Sequence, residues 1–212
     1  MKIPTAGHRV REALKRRLGL SNGLSNGHGP SNGVHAADSR PADEVPLREL
    51  IAEDFETYER SLLAPGFWAV AVHRVGERAD RGSGLQQLSL GAAHRLASTA
   101  VDWVWGIHLP RTTRLGRRVR IWHFGSLLLN ARSIGNDVHF RHDTTLGPVR
   151  SEDRHRPEAL PVIEDNVEIG SGACVVGGVT VGRGAHVGAN AVVLEPVPAG
   201  ATVFGVPGRI IG

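Results

Sequence analysis

The stretch "IGSGACVVGGVTVGRGAHVGANAVV", residues 169–193, decides the fold of this chain. An aliphatic residue stands at every sixth position of it, and these residues are Ile169, Val175, Val181, Val187 and Val193. Glycine directly follows Ile169, Val181 and Val187. A six-residue repeat with inward aliphatic residues and small residues at the corners is typical of a parallel β-helix. Three such hexapeptides complete one triangular coil, so the spacing predicts a β-helix here.

The same period continues toward the N-terminus, through Ile163 and, further upstream, in two more runs. These runs are Leu115, Ile121, Leu127 and then, after a slip of one residue, Ile134, Phe140, Leu146. We therefore predict a mainly β domain over residues 111–212. Between Leu146 and Ile163 the period breaks at the polar segment "PVRSEDRHRPEAL". We interpret it as a loop extruded from the coil at about 147–161, and loops on a rigid scaffold often carry function.

Residues 47–110 have a helical pattern instead, and we predict a small α-helical domain there. Apolar residues recur at helical spacing in its first part: Leu47, Leu50, Ile51, Phe55, Tyr58 and Leu62. Pro65 and Gly66 indicate a turn before a second helix, and a third helical run ends near Gly106. Asp54 falls on the apolar stripe, where a carboxylate needs a partner or a functional role. One interpretation of Asp54 is a helix-edge carboxylate paired with an arginine.

Residues 1–46 combine a basic arm with three copies of Ser-Asn-Gly. This composition offers too little apolar surface to offset ordering entropy, so we expect a disordered linker. The chain carries a net charge of +4. It has no zinc-finger spacing and no aromatic–basic RNA motif, so we expect no nucleic-acid partner.

The single cysteine, Cys174, excludes an internal disulfide and fits a reducing compartment. We expect it to be a packing residue rather than a nucleophile. The N-terminus lacks the apolar region of a signal peptide. No apolar run approaches the ~20 residues of a membrane span. We therefore expect a cytoplasmic, soluble protein that does not contact the membrane.

Several of these segments together resemble the serine O-acetyltransferases of the left-handed β-helix (hexapeptide repeat) acyltransferase superfamily, especially their short members. The resemblance covers roughly residues 47–212. It rests on "PGFWAVAVHRVG", "LGRRVRIWHFGS", "DRH", the coil sequence quoted above and the closing "GVPGRIIG". It implies a left-handed coil, a homotrimer, acetyl-CoA as donor, and active sites between neighbouring subunits. The implied reaction is attack by the hydroxyl of L-serine, or of a related amino acid, on the acetyl thioester, and no metal is expected.

The resemblance also implies roles for individual residues. His123 aligns with the base that takes the hydroxyl proton, a role that suits an imidazole with a pKa of about 6.5. The alternative is a corner histidine hydrogen-bonded at a subunit boundary. Arg154 and His155 align with a pair that holds the acceptor carboxylate and assists at the site, and the alternative is a solvated charged loop. Asp54 aligns with an aspartate that binds the substrate ammonium.

For the donor, the resemblance implies CoA-lining positions in the coil. These positions are Gly147, Ser171, His186 and Ala189, and Arg209 is a further candidate because a guanidinium pairs well with a CoA phosphate. The alternative for each is coil geometry alone. The chain stops at Gly212, directly after the closing motif, and lacks the tail that docks into the sulfhydrylase partner. We therefore expect no complex with the sulfhydrylase.

Two substitutions separate this sequence from the family pattern. Trp122 stands where the family has an acidic residue directly before the base. His108 stands where the family has the acidic residue that orients the base. Both changes remove negative charge from the acceptor site, because neither an indole nor a second imidazole replaces a carboxylate. They favour an acceptor that is larger or less cationic than free L-serine, such as a carrier-bound amino acid, a sugar or a secondary-metabolite hydroxyl or amine.

Two further functions stay open on the sequence alone. A non-catalytic trimeric scaffold would keep the coil after losing the site, and failure to bind acetyl-CoA would favour it. A γ-class carbonic anhydrase also uses a left-handed β-helix and binds zinc through three histidines. His123, His139, His142 and His155 are the candidates for that site, but they lack the required spacing, and metal analysis would decide.

Overall fold

A computed structural model describes residues 40–81 and 83–211. The basic arm and most of the Ser-Asn-Gly linker predicted for residues 1–46 lie outside the described residues. The described part consists of three helices followed by a coil of short strands. Across these residues, no helix is both long enough and apolar enough to cross a membrane.

The helices are α1 (Leu47–Thr57), α2 (Pro65–Arg81) and α3 (Gly84–Trp105). Helix α1 ends earlier than the apolar spacing indicates, because Glu59 and Arg60 adopt left-handed backbone angles and turn the chain. Leu62 consequently lies beyond the helix and is exposed. Helix α3 ends at Gly106, whose φ of 63° is the left-handed conformation that glycine adopts without strain.

Strands begin at Ile107, directly after α3 and four residues before the coil start expected at 111. The strands are β1 (Ile107–His108), β2 (Arg114–Leu115), β3 (Arg120–Ile121), β4 (Leu127–Leu129), β5 (Ser133–Ile134), β6 (His139–Phe140), β7 (Thr145–Gly147), β8 (Val162–Ile163), β9 (Glu168–Ile169), β10 (Cys174–Val176), β11 (Thr180–Val181), β12 (His186–Val187), β13 (Val192–Val193), β14 (Thr202–Phe204) and β15 (Arg209–Ile211).

The strands form three sheets, which are the three sides of the coil. The five-stranded sheet has the order β1-β4-β7-β10-β13, the four-stranded sheet β11-β8-β5-β2, and the six-stranded sheet β15-β14-β12-β9-β6-β3. Pairing is parallel except between β14 and β15. Ile163 pairs with Val181 and Ile169 with Val187, one full turn of three hexapeptides. The register therefore confirms the predicted parallel β-helix.

The residues predicted to point inward are buried in every run of the repeat. The six repeat residues from Ile163 to Val193 are at most 3% exposed, and they are Ile163, Ile169, Val175, Val181, Val187 and Val193. Phe140 and Leu146, which belong to the run after the slip, are fully buried. Burying one large apolar side chain per hexapeptide stabilises each strand against its neighbours above and below.

An ionic cluster attaches the helices to the first coils. Arg74 of α2 is fully buried and donates hydrogen bonds to the carbonyl oxygens of Leu115 (2.8 Å) and Gly116 (2.6 Å). Glu53 of α1 accepts hydrogen bonds from Arg117 and Arg118 at 2.8–3.0 Å. These contacts hold α1 and the middle of α2 against the segment that connects β2 to β3.

The loop between β7 and β8 leaves the coil as predicted. Ile134 of β5 pairs directly with Ile163 of β8, so the coil continues across the break. Two 3-10 turns, Ser151–Asp153 and Pro157–Ala159, shape the loop. Leu160 and Pro161 are buried again, which returns the chain to the coil.

Candidate functional site

A pocket of about 180 Å³ lies between the turn that connects α1 to α2 and the segment that follows β3. Its lining residues include Tyr58, Glu59, Pro65, Arg120, Trp122 and His123. Gly66 also lines the pocket, and a Cβ there would come within 2.8 Å of the Ile121 carbonyl oxygen and of the Tyr58 ring. Glycine at this position therefore lets α2 approach β3 closely enough to form the pocket wall.

His123 is exposed at this pocket and lies on one edge of the triangular coil. Its ring centroid is 5.8 Å from that of His142, with the two planes 67° apart. The structure thus puts the histidine predicted as base beside a second imidazole from the next layer of the coil. From the sequence, His142 was predicted only as one of the candidate zinc ligands of a carbonic anhydrase.

Trp122 lines the same pocket and packs against two basic side chains. The guanidinium carbon of Arg120 lies 3.9 Å from the centroid of the Trp122 ring, a cation–π contact. The indole also makes a T-shaped contact with His139, at 5.7 Å between ring centroids and with the planes 79° apart. Burial is the largest influence on His139 and lowers its pKa, which favours the neutral ring there.

Arg120 carries a second contact, with a carboxylate from the helical domain. Its Nη2 lies 2.6 Å from Oε1 of Glu59. The hydrogen bond and the charge of Arg120 hold the pKa of Glu59 below its usual range. Sequence reasoning missed both residues. Arg120 could have been predicted from the sequence, because residues two apart in extended chain point to the same face and Trp122 was already a candidate.

His108 also meets a carboxylate. Its Nδ1 lies 2.8 Å from Oδ2 of Asp102, which stands in the last turn of α3. The resemblance implies an acidic residue at the position of His108, where this chain has none. Asp102, six residues upstream, places a carboxylate next to that position. No pattern in the sequence pointed to Asp102, since nothing there indicated how α3 enters the coil.

Asp54 requires a correction to the substrate-ammonium role. Its side chain is fully buried, and both carboxylate oxygens lie near Arg74, at 3.1 and 3.5 Å. A ligand has no access to a carboxylate that is enclosed in this way. The arginine-paired interpretation therefore describes Asp54, and we leave it out of the candidate site.

Arg154 and His155 lie on the extruded loop, and neither lines the pocket beside His123. Both side chains are exposed, and Arg154 Nε donates a hydrogen bond to His155 Nε2 at 3.0 Å. The bond leaves Nδ1 of His155 as the protonated nitrogen. The Arg154 carbonyl accepts a long hydrogen bond, 3.4 Å, from Asn130 of the coil.

Two of the five CoA-lining candidates lie on the same edge of the coil as His123. This edge consists of the turns that lead from the six-stranded to the five-stranded sheet, residues 122–126, 141–144, 170–173 and 188–191, and is called the His123 edge below. Ser171 and Ala189 belong to its third and fourth turns. Hydrogen bonds from Gly172 N to His142 O and from Asn190 N to Ser171 O connect successive turns.

The other three candidates lie on the adjoining faces. Gly147 ends β7 in the five-stranded sheet and is buried. His186 of β12 is exposed in the six-stranded sheet, with its Nδ1 3.6 Å from Oε2 of Glu168. Arg209 of β15 is exposed at the end of that sheet. The candidates thus surround the His123 edge without forming one cluster.

Burial raises the pKa of the Cys174 thiol, so this side chain stays protonated at neutral pH. In the described residues, no group of three His, Cys, Asp or Glu side chains is arranged to hold a metal ion. His123 and His142 are neighbours, whereas His139 contacts Trp122 and His155 bonds to Arg154.

Comparison with known proteins agrees with this geometry. Residues 161–195 match the family model described as bacterial transferase hexapeptide (six repeats). A serine acetyltransferase of Bacillus licheniformis is 40% identical over 55% of this chain and 53% of its own length. A serine acetyltransferase of Bacillus subtilis is 34% identical over 73% of this chain and 67% of its own length. The chain therefore spans about half the length of the first of these relatives.

Solved structures extend the likeness to the fold. The crystal structure of serine acetyltransferase from Vibrio cholerae superposes with a TM-score of 0.65. It is 27% identical and covers 78% of this chain and 66% of that one. The predicted left-handed β-helix after a small helical region is confirmed.

Proposed function

Because this chain belongs to the serine acetyltransferase family, we propose that it is an acetyl-CoA-dependent O-acetyltransferase acting on L-serine or a related hydroxy amino acid. One observation carries the proposal. His123 opens into a pocket of about 180 Å³, and it shares one edge of the coil with Ser171 and Ala189, two candidates for holding CoA. An acceptor in the pocket and a donor along the edge would meet at the imidazole.

The reaction follows from the chemistry of the two substrates. An alcohol is a weak nucleophile at neutral pH and needs a base as the new bond forms. The acceptor oxygen attacks the thioester carbonyl carbon while His123 takes the hydroxyl proton. The C–S bond then breaks, the acetyl group stays on the acceptor oxygen, and the imidazolium returns its proton to the sulfur of CoA. A positioned base of this kind contributes roughly 10²–10⁴ in rate.

Arg154 and His155 take the roles of carboxylate binding and assistance only in an assembly. They lie on the extruded loop rather than at the pocket of the same chain. We therefore propose a homotrimer in which the loop of one subunit reaches the His123 edge of its neighbour. The hydrogen bond between the two side chains would then present a guanidinium and an imidazole together.

For the donor, we propose that acetyl-CoA lies along the His123 edge, with Ser171 and Ala189 beside the pantetheine arm. Gly147 leaves open space where a Cβ would stand, which favours close approach of a ligand. His186 and Arg209 are exposed on the adjoining face and carry the basic groups that suit phosphates. We also propose a cytoplasmic location, in line with the single, free Cys174, and a role in cysteine biosynthesis.

The test is release of CoA thiol from acetyl-CoA with and without L-serine, with the product identified by mass. We expect serine-dependent release and a product heavier by one acetyl group. Release with a sugar or metabolite alcohol but not with L-serine would favour the second candidate, a different acceptor, which the indole at residue 122 supports. Failure to bind acetyl-CoA would contradict both and favour the scaffold.

A further inference from the structure

The pocket beside His123 contains two charged side chains that the mechanism above does not use. Glu59 comes from the turn after α1, and Arg120 comes from β3. The two side chains form an ion pair with 2.6 Å between Nη2 and Oε1. Both line the same cavity as His123. A carboxylate and a guanidinium therefore lie at the place where the acceptor would bind.

Arg120 is the fixed member of this pair. Its side chain is 21% exposed, and its guanidinium carbon lies over the Trp122 indole, 3.9 Å from the ring centroid. A guanidinium stacked on an indole keeps its donor edge free for a carboxylate, because the ring holds only its face. Trp122 thus has a role that its chemistry explains, since it orients a cation beside the proposed base.

Glu59 is the movable member. Its side chain is 76% exposed, and Arg120 is the partner that the structure gives it. Its backbone is ordered by the hydrogen bond from Glu59 N to Glu56 O at 2.9 Å. The carboxylate can therefore turn toward a ligand in the pocket while the turn that carries it stays in place. It also returns negative charge to an acceptor site in which residue 122 is not acidic.

We propose that Glu59 and Arg120 recognise the two charged ends of a zwitterionic hydroxy amino acid, with its ammonium on Glu59 and its hydroxyl toward His123. Its carboxylate would lie on Arg120, which would share it with the loop Arg154 of the neighbouring subunit in the proposed trimer. The inference rests on the proposed function and names two residues that would set the acceptor specificity of that site. When a zwitterion binds, two ion pairs with the ligand replace the ion pair between Glu59 and Arg120. The net charge of the pocket stays the same. An acceptor whose nitrogen is acylated carries no ammonium. It would leave the Glu59 carboxylate without a cation once Arg120 turned to the acceptor carboxylate.

The size of the pocket agrees with a small acceptor. Sites for drug-sized ligands enclose about 300–1,000 Å³, whereas this pocket has about 180 Å³. A purely structural role for the pair is the competing explanation. Exposed ion pairs contribute little to stability, so that explanation predicts little effect of either substitution on any acceptor.

The test compares three ligands that differ in one charge each. L-serine has both charges, ethanolamine lacks the carboxylate and 3-hydroxypropanoate lacks the ammonium. Each is measured as acceptor or as competitive inhibitor with wild type, Glu59→Gln and Arg120→Gln. We expect Glu59→Gln to weaken binding of L-serine about 10-fold to 100-fold and not to weaken binding of 3-hydroxypropanoate, which no longer competes with Glu59 for Arg120. Arg120→Gln should weaken binding of L-serine similarly and should not weaken binding of ethanolamine.

Glu56→Gln is the matched control. Glu56 precedes Glu59 by one turn, pairs with Arg60 at 2.8 Å and does not line the pocket. All three ligands should behave with this variant as they do with wild type. Equal weakening of the three ligands by Glu59→Gln or Arg120→Gln would overturn the inference, as would no weakening of L-serine by either.

Equilibrium binding of L-serine in the presence of CoA separates this inference from the proposed function. Binding that depends on Glu59 and Arg120 without any acetyl transfer would sustain the inference and contradict the function. Transfer to L-serine at equal KM in wild type and both variants would sustain the function and overturn the inference. A wild-type protein that neither binds nor acetylates L-serine would overturn the inference too.

Discussion

The Nδ1 atom of His108 lies 2.8 Å from the Oδ2 atom of Asp102, so the last turn of α3 delivers a carboxylate to the first strand of the coil. His108 stands at the position where the resemblance to serine acetyltransferases implies an acidic residue that orients the base. The Asp102 carboxylate accepts a hydrogen bond from Nδ1–H of His108 and so orients the imidazole. An acid absent at one position of the sequence is thus present nearby in space.

We expect Asp102→Asn to lower kcat on the order of 10-fold, because an amide no longer fixes one tautomer of His108. KM for acetyl-CoA and the melting temperature should stay near those of wild type. Steady-state kinetics over a range of pH, together with thermal unfolding, check this expectation. A fall in melting temperature with an unchanged kcat would mean that the pair only fastens α3 to the coil.

Asp54→Asn should destabilise the fold strongly. Its partner Arg74 is fully buried, and removing one member of a buried ion pair costs about 3–5 kcal/mol. Urea unfolding measures the change. Asp80→Asn is the control, because Asp80 pairs with Arg111 at the surface and exposed pairs contribute at most about 1 kcal/mol. Normal stability with a raised KM for the acceptor would restore the substrate-binding role to Asp54.

Glu53 should make stability depend on acid pH. Burial alone would raise its pKa, but hydrogen bonds from Arg117 and Arg118 outweigh burial and hold the pKa below the ordinary 4.5. A carboxyl with a lowered folded-state pKa stabilises the fold above its unfolded pKa, and this contribution disappears as pH falls through the folded value. Wild type should therefore lose unfolding free energy below pH 4.5.

Glu53→Gln should unfold more easily at neutral pH, by about 1–3 kcal/mol, and should lose less stability on acidification. Urea unfolding at several pH values measures both effects. Glu49→Gln is the control on the same helix, because the pair of Glu49 with Arg40, at 3.5 Å, is exposed. Equal acid sensitivity in Glu53→Gln and wild type would assign the pH dependence to other groups.

The coil could be predicted because its period is a direct record of burial. Each sixth residue must be apolar to fill the interior of the coil. The positions of Ile163, Val181 and Val187 therefore predict both where the strands lie and how they pair. The extruded loop was visible as a break in that record. Handedness was not, because the same period fits either hand, and it came from the resemblance to a known family.

The candidate site was only partly predictable for a physical reason. His123 and Trp122 lie in the coil, where the repeat fixes their place. Glu59 reaches the coil from the turn after α1 and Asp102 reaches it from the last turn of α3, and no spacing in the sequence predicts which strand either residue meets. Glu59 is further hidden by the left-handed turn that ends α1, which a helical apolar stripe does not indicate.

Cys174 should be dispensable for acetyl transfer. Burial raises the pKa of its thiol, and a protonated thiol is a poor nucleophile. We expect Cys174→Ala to keep the kcat of wild type and the native thiol to react slowly with a disulfide reagent at neutral pH. Loss of acetyl transfer in this variant, with the fold intact by circular dichroism, would show that the sulfur takes part in the reaction.

The rate of acetyl transfer by His123→Ala decides whether His123 is the base, provided that acetyl-CoA binding is measured on the same sample. We expect kcat to fall by roughly 10²–10⁴, with the Kd for acetyl-CoA and the melting temperature unchanged. A variant that transfers the acetyl group within a few-fold of the wild-type rate would contradict this role of His123, and the base would have to be sought among the other histidines of the chain.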